Sequence, residues 1–262
     1  MSKHKAKVLF IDIETSPILA SVWALFDQNV ALNQIKSDWS VLSFSAKWQG
    51  QDKVIYFDQR NAKNVENDKA LLKKIWALMD EADIVIGQNS RRFDVKKLNA
   101  RFILNGMQPP SSFKQIDTLE IARKHFAFTS NKLEYLSSKL CTKYKKLTKR
   151  KYSGFDLWRE CLAGNIDAWK EMEAYNRLDT LALEELYDKL APWSNSINFN
   201  LYHDSDETVC NCGSTEFKRN GYSYTASGKY PRFKCKKCGH ETRGKDNLLT
   251  KEKRKSLRPG SR

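Results

Sequence analysis

The sequence predicts an α/β domain, a mixed sheet flanked by helices, followed by a small metal-stapled module. Three observations lead there. Short apolar strand-like runs crowd the first ninety residues and helical periodicity dominates the next hundred, the pattern of helices packed on a sheet. At 262 residues the chain exceeds what one core of about 100–200 residues needs. Four of its six cysteines fall after residue 209, and in a chain this size such a cluster points to metal ligands rather than a disulfide framework.

Each element has its own justification. "KVLFIDIE", "VLSFSAKW", "KVIYF" and "DIVIG" are short runs rich in β-branched and aromatic residues, and they read as strands. Between the third and fourth lies "NDKALLKKIWALMDEA", apolar at helical spacing. From Phe93 the helical segments are "FDVKKLNARFILNG", ending on Gly106, then "IDTLEIARKHF", "NKLEYLSSKL" and the long "NIDAWKEMEAYNRLDTLALEELYDKL", closed by Pro192. Cys141 and Cys161 fall in helical stretches and read as buried small apolar residues. "APWSNSINFNLYHDSDE" loses periodicity and reads as a linker. The expected organisation is therefore a first domain over 1–192, a linker over 193–207, a cysteine module over 208–245 and a disordered basic tail over 246–262.

Charge is unevenly spread. Lys and Arg total 46 against 31 Asp and Glu, a net +15, yet residues 208–262 hold 15 basic and 4 acidic residues, which is +11 and leaves +4 for the rest. A concentrated cationic segment fits an anionic polymer, most often nucleic acid; a solvated, merely solubilising tail is the plainer reading. The longest apolar runs fall well short of the roughly 18 residues a membrane span needs. "MSKHKAK" has no apolar stretch behind its charges, so a cytoplasmic protein without a membrane partner is expected.

The chemistry is carried by carboxylates. In "FIDIETSP" Asp12 and Glu14 are two apart on a strand and so share a face, where two desolvated negative charges repel unless a cation lies between them. A solvated edge strand is the bland alternative. Asp94 follows the strand "DIVIG" and a loop carrying Asn89, at the strand-to-helix junction where open α/β sheets bind ligands, although an Asp at a helix start is also ordinary. Asp179 follows Tyr175 by four residues on one face of a Leu-rich helix, where an unpaired carboxylate is costly.

With these residues the chain resembles the DEDD superfamily of 3′-to-5′ exonucleases, whose fold is ribonuclease H-like and which includes polymerase proofreading domains. The likeness covers about residues 6–192. Asp12-Ile13-Glu14 is similar to its D-x-E motif, Asn89 to Asp94 to N-x-x-x-F-D, and Tyr175 to Asp179 to Y-x-x-x-D, in that order. Tyrosine before the last aspartate marks the tyrosine subclass. The resemblance implies a two-metal phosphodiester hydrolase using Mg²⁺ or Mn²⁺. Asp12 would bridge the ions, Glu14 and Asp179 would complete the site that activates water, Asp94 would hold the second ion and Tyr175 would orient the attacking water. Asn89 and Phe93 would touch nucleic acid, and Asp117 would start a helix or support the site from behind.

The cysteines, Cys210 and Cys212 paired with Cys235 and Cys238 across a "TASGK" turn, look like a zinc ribbon holding one structural Zn²⁺. The first half, C-x-C-G, is one residue short of the usual knuckle, which leaves His203 or His240 as a possible substitute ligand. Tyr222 and Tyr224 interleave with Lys218, Arg219, Lys229, Arg232 and Lys234, a mixture suited to phosphate contact and base stacking; Tyr230 and Phe233 belong to the same stretch, and about half of these aromatics are expected to form the ribbon's small core instead. The reading is a metal-dependent 3′–5′ exonuclease, with single-stranded DNA favoured and RNA open. Its rivals are a structure-selective endonuclease of the same fold and a non-catalytic nucleic-acid-binding protein.

Overall fold

The computed structural model describes residues 6–144, 151–204 and 206–258. They divide into two compact units, Ala6–Lys189 and the segment from Leu190 onward.

The first unit is built on a five-stranded sheet in the order β5-β4-β1-β6-β7. Strand β1 (Val8–Thr15) is central. It pairs antiparallel with β4 (Val41–Trp48), which pairs antiparallel with β5 (Val54–Asp58). On its other side β1 runs parallel to β6 (Ile84–Gly87), and β6 to β7 (Lys114–Asp117). A small hairpin of β2 (Leu19–Ala20) and β3 (Ile35–Ser37) leaves the end of β1.

The two-residue period of β1 decides what each face does. Leu9, Ile11 and Ile13 pack on one face with Leu72, Ile75 and Met79 of α1 (Lys69–Glu81) and Leu98 and Phe102 of α2 (Asp94–Leu104). On the other face Phe10 meets Tyr187 of α6 (Ile166–Leu190) edge-on, at 5.8 Å between ring centres. A second apolar cluster there joins Leu42 to Leu157 and Cys161 of α5 (Asp156–Leu162) and to Trp169 and Met172. Helices α3 (Thr118–His125) and α4 (Leu133–Leu140) lie between these segments in the chain. Cys141 and Cys161 are both buried, and burial pushes their thiols up to about 11 and about 12.

Two expectations are corrected here. The segment beginning at Ile116 is not helical from its start, because β7 runs through Asp117 and only then does α3 begin, capped by Asp117 accepting from the Leu119 N–H at 2.9 Å. The basic tail is not wholly without structure either. Thr250 caps a helix, α7 (Lys251–Ser256), by accepting from the Lys253 N–H, while 259–262 lie outside the described residues.

In the second unit β8 (Phe217–Thr225), β9 (Gly228–Cys235) and β10 (Glu241–Arg243) form an antiparallel sheet in the order β10-β9-β8. The linker stretch contains a 3₁₀ turn, Phe199–Tyr202, with Phe199 buried.

Candidate active site and metal centre

Asp12 and Glu14 share the α6 face of β1, as the strand period requires. Asp94 reaches them from the other side of the sheet. The parallel ladder between β1 and β6 stops at Phe10–Ile86, so the β1 edge beyond it has no strand partner there. The Ile13 N–H donates to Asp94 Oδ1 at 3.1 Å, which places that carboxylate between Asp12 and Glu14 along the strand.

The turn that delivers Asp94 is tightly specified. A Cβ on Gly87 would lie 2.4 Å from Ser90 Cβ, so only glycine ends β6 without displacing the loop. Asn89 sits in the left-handed region at φ 61°, which Asn tolerates better than most residues. Asp117 then holds the loop from β7: it accepts from the Asn89 N–H at 2.8 Å and the Arg91 N–H at 3.1 Å. Phe93 leaves part of its ring exposed, with Lys97 Nζ 5.3 Å from the ring centre.

Electrostatics show what the four carboxylates do to one another. Asp12 keeps some accessible surface, but it lies deep enough that desolvation raises its pKa well above the ordinary value, and the charges of Glu14, Asp94 and Asp179 add to the rise. Asp94 is buried and pushed up to about 7, again first by burial; the backbone N–H donors at Asp94 and Ile13 oppose the shift and Asp117 adds to it. Asp179 is thus within electrostatic reach of Asp12, as expected for the same cluster. Tyr175, half-buried one helical turn earlier on α6, meets Trp158 edge-on at 6.4 Å.

Asn176 escaped the sequence reading. It is fully buried, donates through Nδ2 to Asp12 Oδ2, and accepts from Ser43 Oγ at 3.2 Å. Its only signal in the sequence is a polar residue beside Tyr175 facing a strand with small polar residues at Ser43 and Ser45. A groove lined by Pro17, Ile18, Trp39, Lys97, Phe155 and Trp158 also went unread. It adjoins Glu14 through Thr15 and Tyr175 through Trp158, and Lys97 Nζ lies 3.7 Å over the Trp39 ring.

Among the described residues the one set of three or more metal-type side chains whose ligand atoms all fall within 4.8 Å of one another is Cys210, Cys212, Cys235 and Cys238. The carboxylates do not gather that tightly. A site for two ions about 3.5–4 Å apart spreads its ligands more widely than a single-ion site does. The cysteine pairs Cys210–Cys238 and Cys212–Cys235 have sulfurs 3.5 and 3.7 Å apart, close to the ~3.8 Å edge of a tetrahedron with 2.3 Å metal–sulfur bonds. Both turns, including the short C-x-C-G, end on a glycine in the left-handed region at φ 81°, Gly213 and Gly239. Neither His203 nor His240 is among the clustered groups; His240 instead donates from Nδ1 to the Pro192 carbonyl at 3.0 Å. Burial raises the Cys210 thiol. Cys235 also feels burial, but the N–H groups of Cys238 and Lys237 and the neighbouring thiols outweigh it and bring it to about 6, so one thiolate is ready at neutral pH.

The ribbon strands sort the expected nucleic-acid contacts by face. Tyr222 and Tyr224 are two apart and partly exposed, with Arg219 and Lys229 lying 5.0 and 3.9 Å from the Tyr222 ring centre. Lys218 pairs across the strands with Lys234. Arg232 is engaged within the ribbon, donating to the Asn220 carbonyl at 2.8 Å and facing Glu241 at 3.7 Å.

The first unit is thus a sheet-and-helix domain with an acidic cluster at the end of its central strand, the arrangement of a ribonuclease H-like hydrolase. The sequence profile described as the RNase_H superfamily matches residues 32–191. The chain belongs to that superfamily; the match contains Asp94, Tyr175 and Asp179 and begins beyond Asp12 and Glu14. No curated protein matches the sequence. Among solved structures, the family B DNA polymerase of the hyperthermophilic archaeon Pyrobaculum calidifontis is similar at 14% identity and a TM-score of 0.49, over 74% of this chain and 26% of the polymerase, so this chain spans about a quarter of that protein's length. No helix among the described residues is long and apolar enough to cross a membrane.

Proposed function

We propose that the protein is a metal-dependent 3′–5′ exonuclease acting on nucleic acid, with single-stranded DNA the favoured substrate. The observation that carries this reading is the convergence of Asp94 and Asp179 on Asp12, beside Glu14, with Tyr175 one turn from Asp179. So much desolvated negative charge on one strand end is unfavourable by itself and fits a site for Mg²⁺ or Mn²⁺, whose preferred donors are oxygen. Asp12, Glu14, Asp94 and Asp179 would hold two such ions, which when bound neutralise charge gathering on the phosphate and acidify the attacking water.

The remaining steps belong to the chain's own groups. Asn176 fixes one Asp12 oxygen through its amide, so the other is the one left to meet a metal. The Tyr175 hydroxyl orients the water in line with the scissile bond. The aromatic groove of Trp39, Phe155 and Trp158 stacks the terminal base, with Lys97 near its phosphate. The ribbon holds Zn²⁺ through Cys210, Cys212, Cys235 and Cys238 and grips the strand through Arg219, Tyr222, Tyr224 and Lys229.

Digestion of 5′-labelled single-stranded DNA and RNA with Mg²⁺ or Mn²⁺ tests the reading. A ladder shortening from the 3′ end is expected, with covalently closed circular single strands resistant. Cleavage of the circles would instead establish an endonuclease.

A further inference from the structure

At the carboxyl ends of the parallel strands β6 and β7 lies a groove of ≈ 340 Å³ that the carboxylate cluster does not use, lined by Asn89, Arg92, Asp117, Leu119, Glu120, Arg123 and Lys124. This is the edge of an α/β sheet where ligands bind, and Asn89 ties the groove to the loop that delivers Asp94. Its acids are already committed. The Asp117 carboxylate is buried and accepts three backbone N–H groups, those of Asn89, Arg91 and Leu119. Glu120 is paired with Arg91 at 3.1 Å. Its remaining cations are not: Arg92, Arg123 and Lys124 are exposed and, among the described residues, take part in no ion pair. The macrodipole of α3 favours Arg123 and Lys124 in its last turn. It does not account for Arg92, which comes from a different element and converges on the same groove.

We propose that this groove binds backbone phosphates of the polynucleotide away from the bond being cut, a second anion site in the catalytic unit distinct from the ribbon. The proposal rests on the nuclease reading for its ligand, because a groove whose Glu120 is ion-paired, whose Asp117 is held by three backbone N–H groups and whose three cations are open to solvent keeps an excess of positive charge and is complementary to a polyanion. Such a site acts on affinity for long strands. It leaves the cleavage step untouched, because Arg92, Arg123 and Lys124 belong to neither the carboxylate cluster nor the aromatic groove.

The test uses the full-length chain and fluorescein-labelled oligothymidylates of about 3 and about 20 nucleotides, with binding measured across a salt series in Ca²⁺ and hydrolysis in Mg²⁺. The triple variant Arg92→Gln, Arg123→Gln, Lys124→Gln should flatten the slope of log K against log salt by roughly 1–2 on the long strand, at about 0.7 per phosphate. Binding of the long strand should weaken about tenfold, with kcat and all constants for the short strand unchanged. Arg123→Glu should flatten the slope more than Arg123→Gln, a dependence on charge that loss of structure would not produce. The control is Lys69→Gln, Lys73→Gln, Lys114→Gln, three exposed lysines outside the groove. An unchanged slope in the triple variant, an equal change in the control, or an equal loss on the short strand would each overturn the proposal. Failure of the nuclease reading is separable: wild-type protein would then hydrolyse neither strand, while the binding slopes still answer whether the groove takes phosphate.

Discussion

Asp12 sits where three other carboxylates act on it, and that crowding has a measurable cost without metal. Asp94, pushed to about 7 chiefly by burial, keeps its proton in the folded protein at pH values where the unfolded chain has released it. Folding is therefore favoured by this group at low pH, and that contribution is lost as pH rises from the ordinary carboxylate range near 4 through about 7. Asp12, also raised, acts in the same direction. The melting temperature of metal-free protein should fall across this window and recover on adding Mg²⁺, whereas activity should rise through it as the ligands ionise; a metal-free melting temperature that climbs through the window would contradict the assigned burial. Asp12→Ala should remove roughly 100-fold or more of the activity, since each 1.4 kcal/mol is tenfold and a metal supplies several. Stability without metal should hold or rise, because repulsion goes with the charge. Asn176→Ala frees the Asp12 oxygen and should lower apparent Mg²⁺ affinity about 10- to 100-fold, read from the metal dependence of the rate.

At the scale of elements, the two features that aim the site are a glycine turn and a helical spacing, and only the second is legible in the sequence. Tyr175 and Asp179 can be placed on one face because four residues make one turn of any helix. Asp12 and Glu14 are legible for the corresponding reason in a strand. What the sequence hides is partnership across elements. Nothing local to Asn176 says that it will meet Asp12, which is 164 residues away. Strand β7 is only four residues and half exposed, so its signal dissolves into the helix behind it. The exposed apolar stretch after β1, with Trp23 96% exposed, gives no periodicity to read. Gly87→Ala tests the turn: with its Cβ 2.4 Å from that of Ser90, the β6–α2 loop must shift, at a cost of about 1–3 kcal/mol in denaturant unfolding. Activity should fall further than stability, since Asp94 moves with the loop. Tyr175→Phe keeps the ring against Trp158 and deletes the hydroxyl. Turnover should drop about 10²-fold, the cost of a misplaced reactant, with substrate affinity nearly unchanged; weakened binding with a normal rate in the bound complex would make Tyr175 a substrate contact instead.

For the whole molecule the telling quantity is the split of charge, +11 after residue 207, where the four clustered cysteines lie, and +4 before it, where the carboxylates lie. Chemistry and grip are then separable by experiment. Removing residues 204–262 takes away no carboxylate of the cluster, so the rate on saturating short substrates should persist while the apparent KM rises. The slope of log K against log salt should flatten by several steps of about 0.7, one for each phosphate of a single strand that the protein no longer neutralises. Chelating the metal from Cys210, Cys212, Cys235 and Cys238 should reproduce this only in part. It unfolds a small sheet whose four sulfurs close on one point, and so disperses Tyr222 and Tyr224, but it leaves every lysine and arginine attached to the chain. Chelated protein should accordingly retain much of the salt slope while losing the stacking contribution of about 1–3 kcal/mol per base. The comparison is a salt series for intact, chelated and truncated protein on the same strand. Three different slopes, in the order intact, chelated, truncated, are expected, and identical slopes for intact and truncated protein would remove the ribbon from nucleic-acid binding altogether.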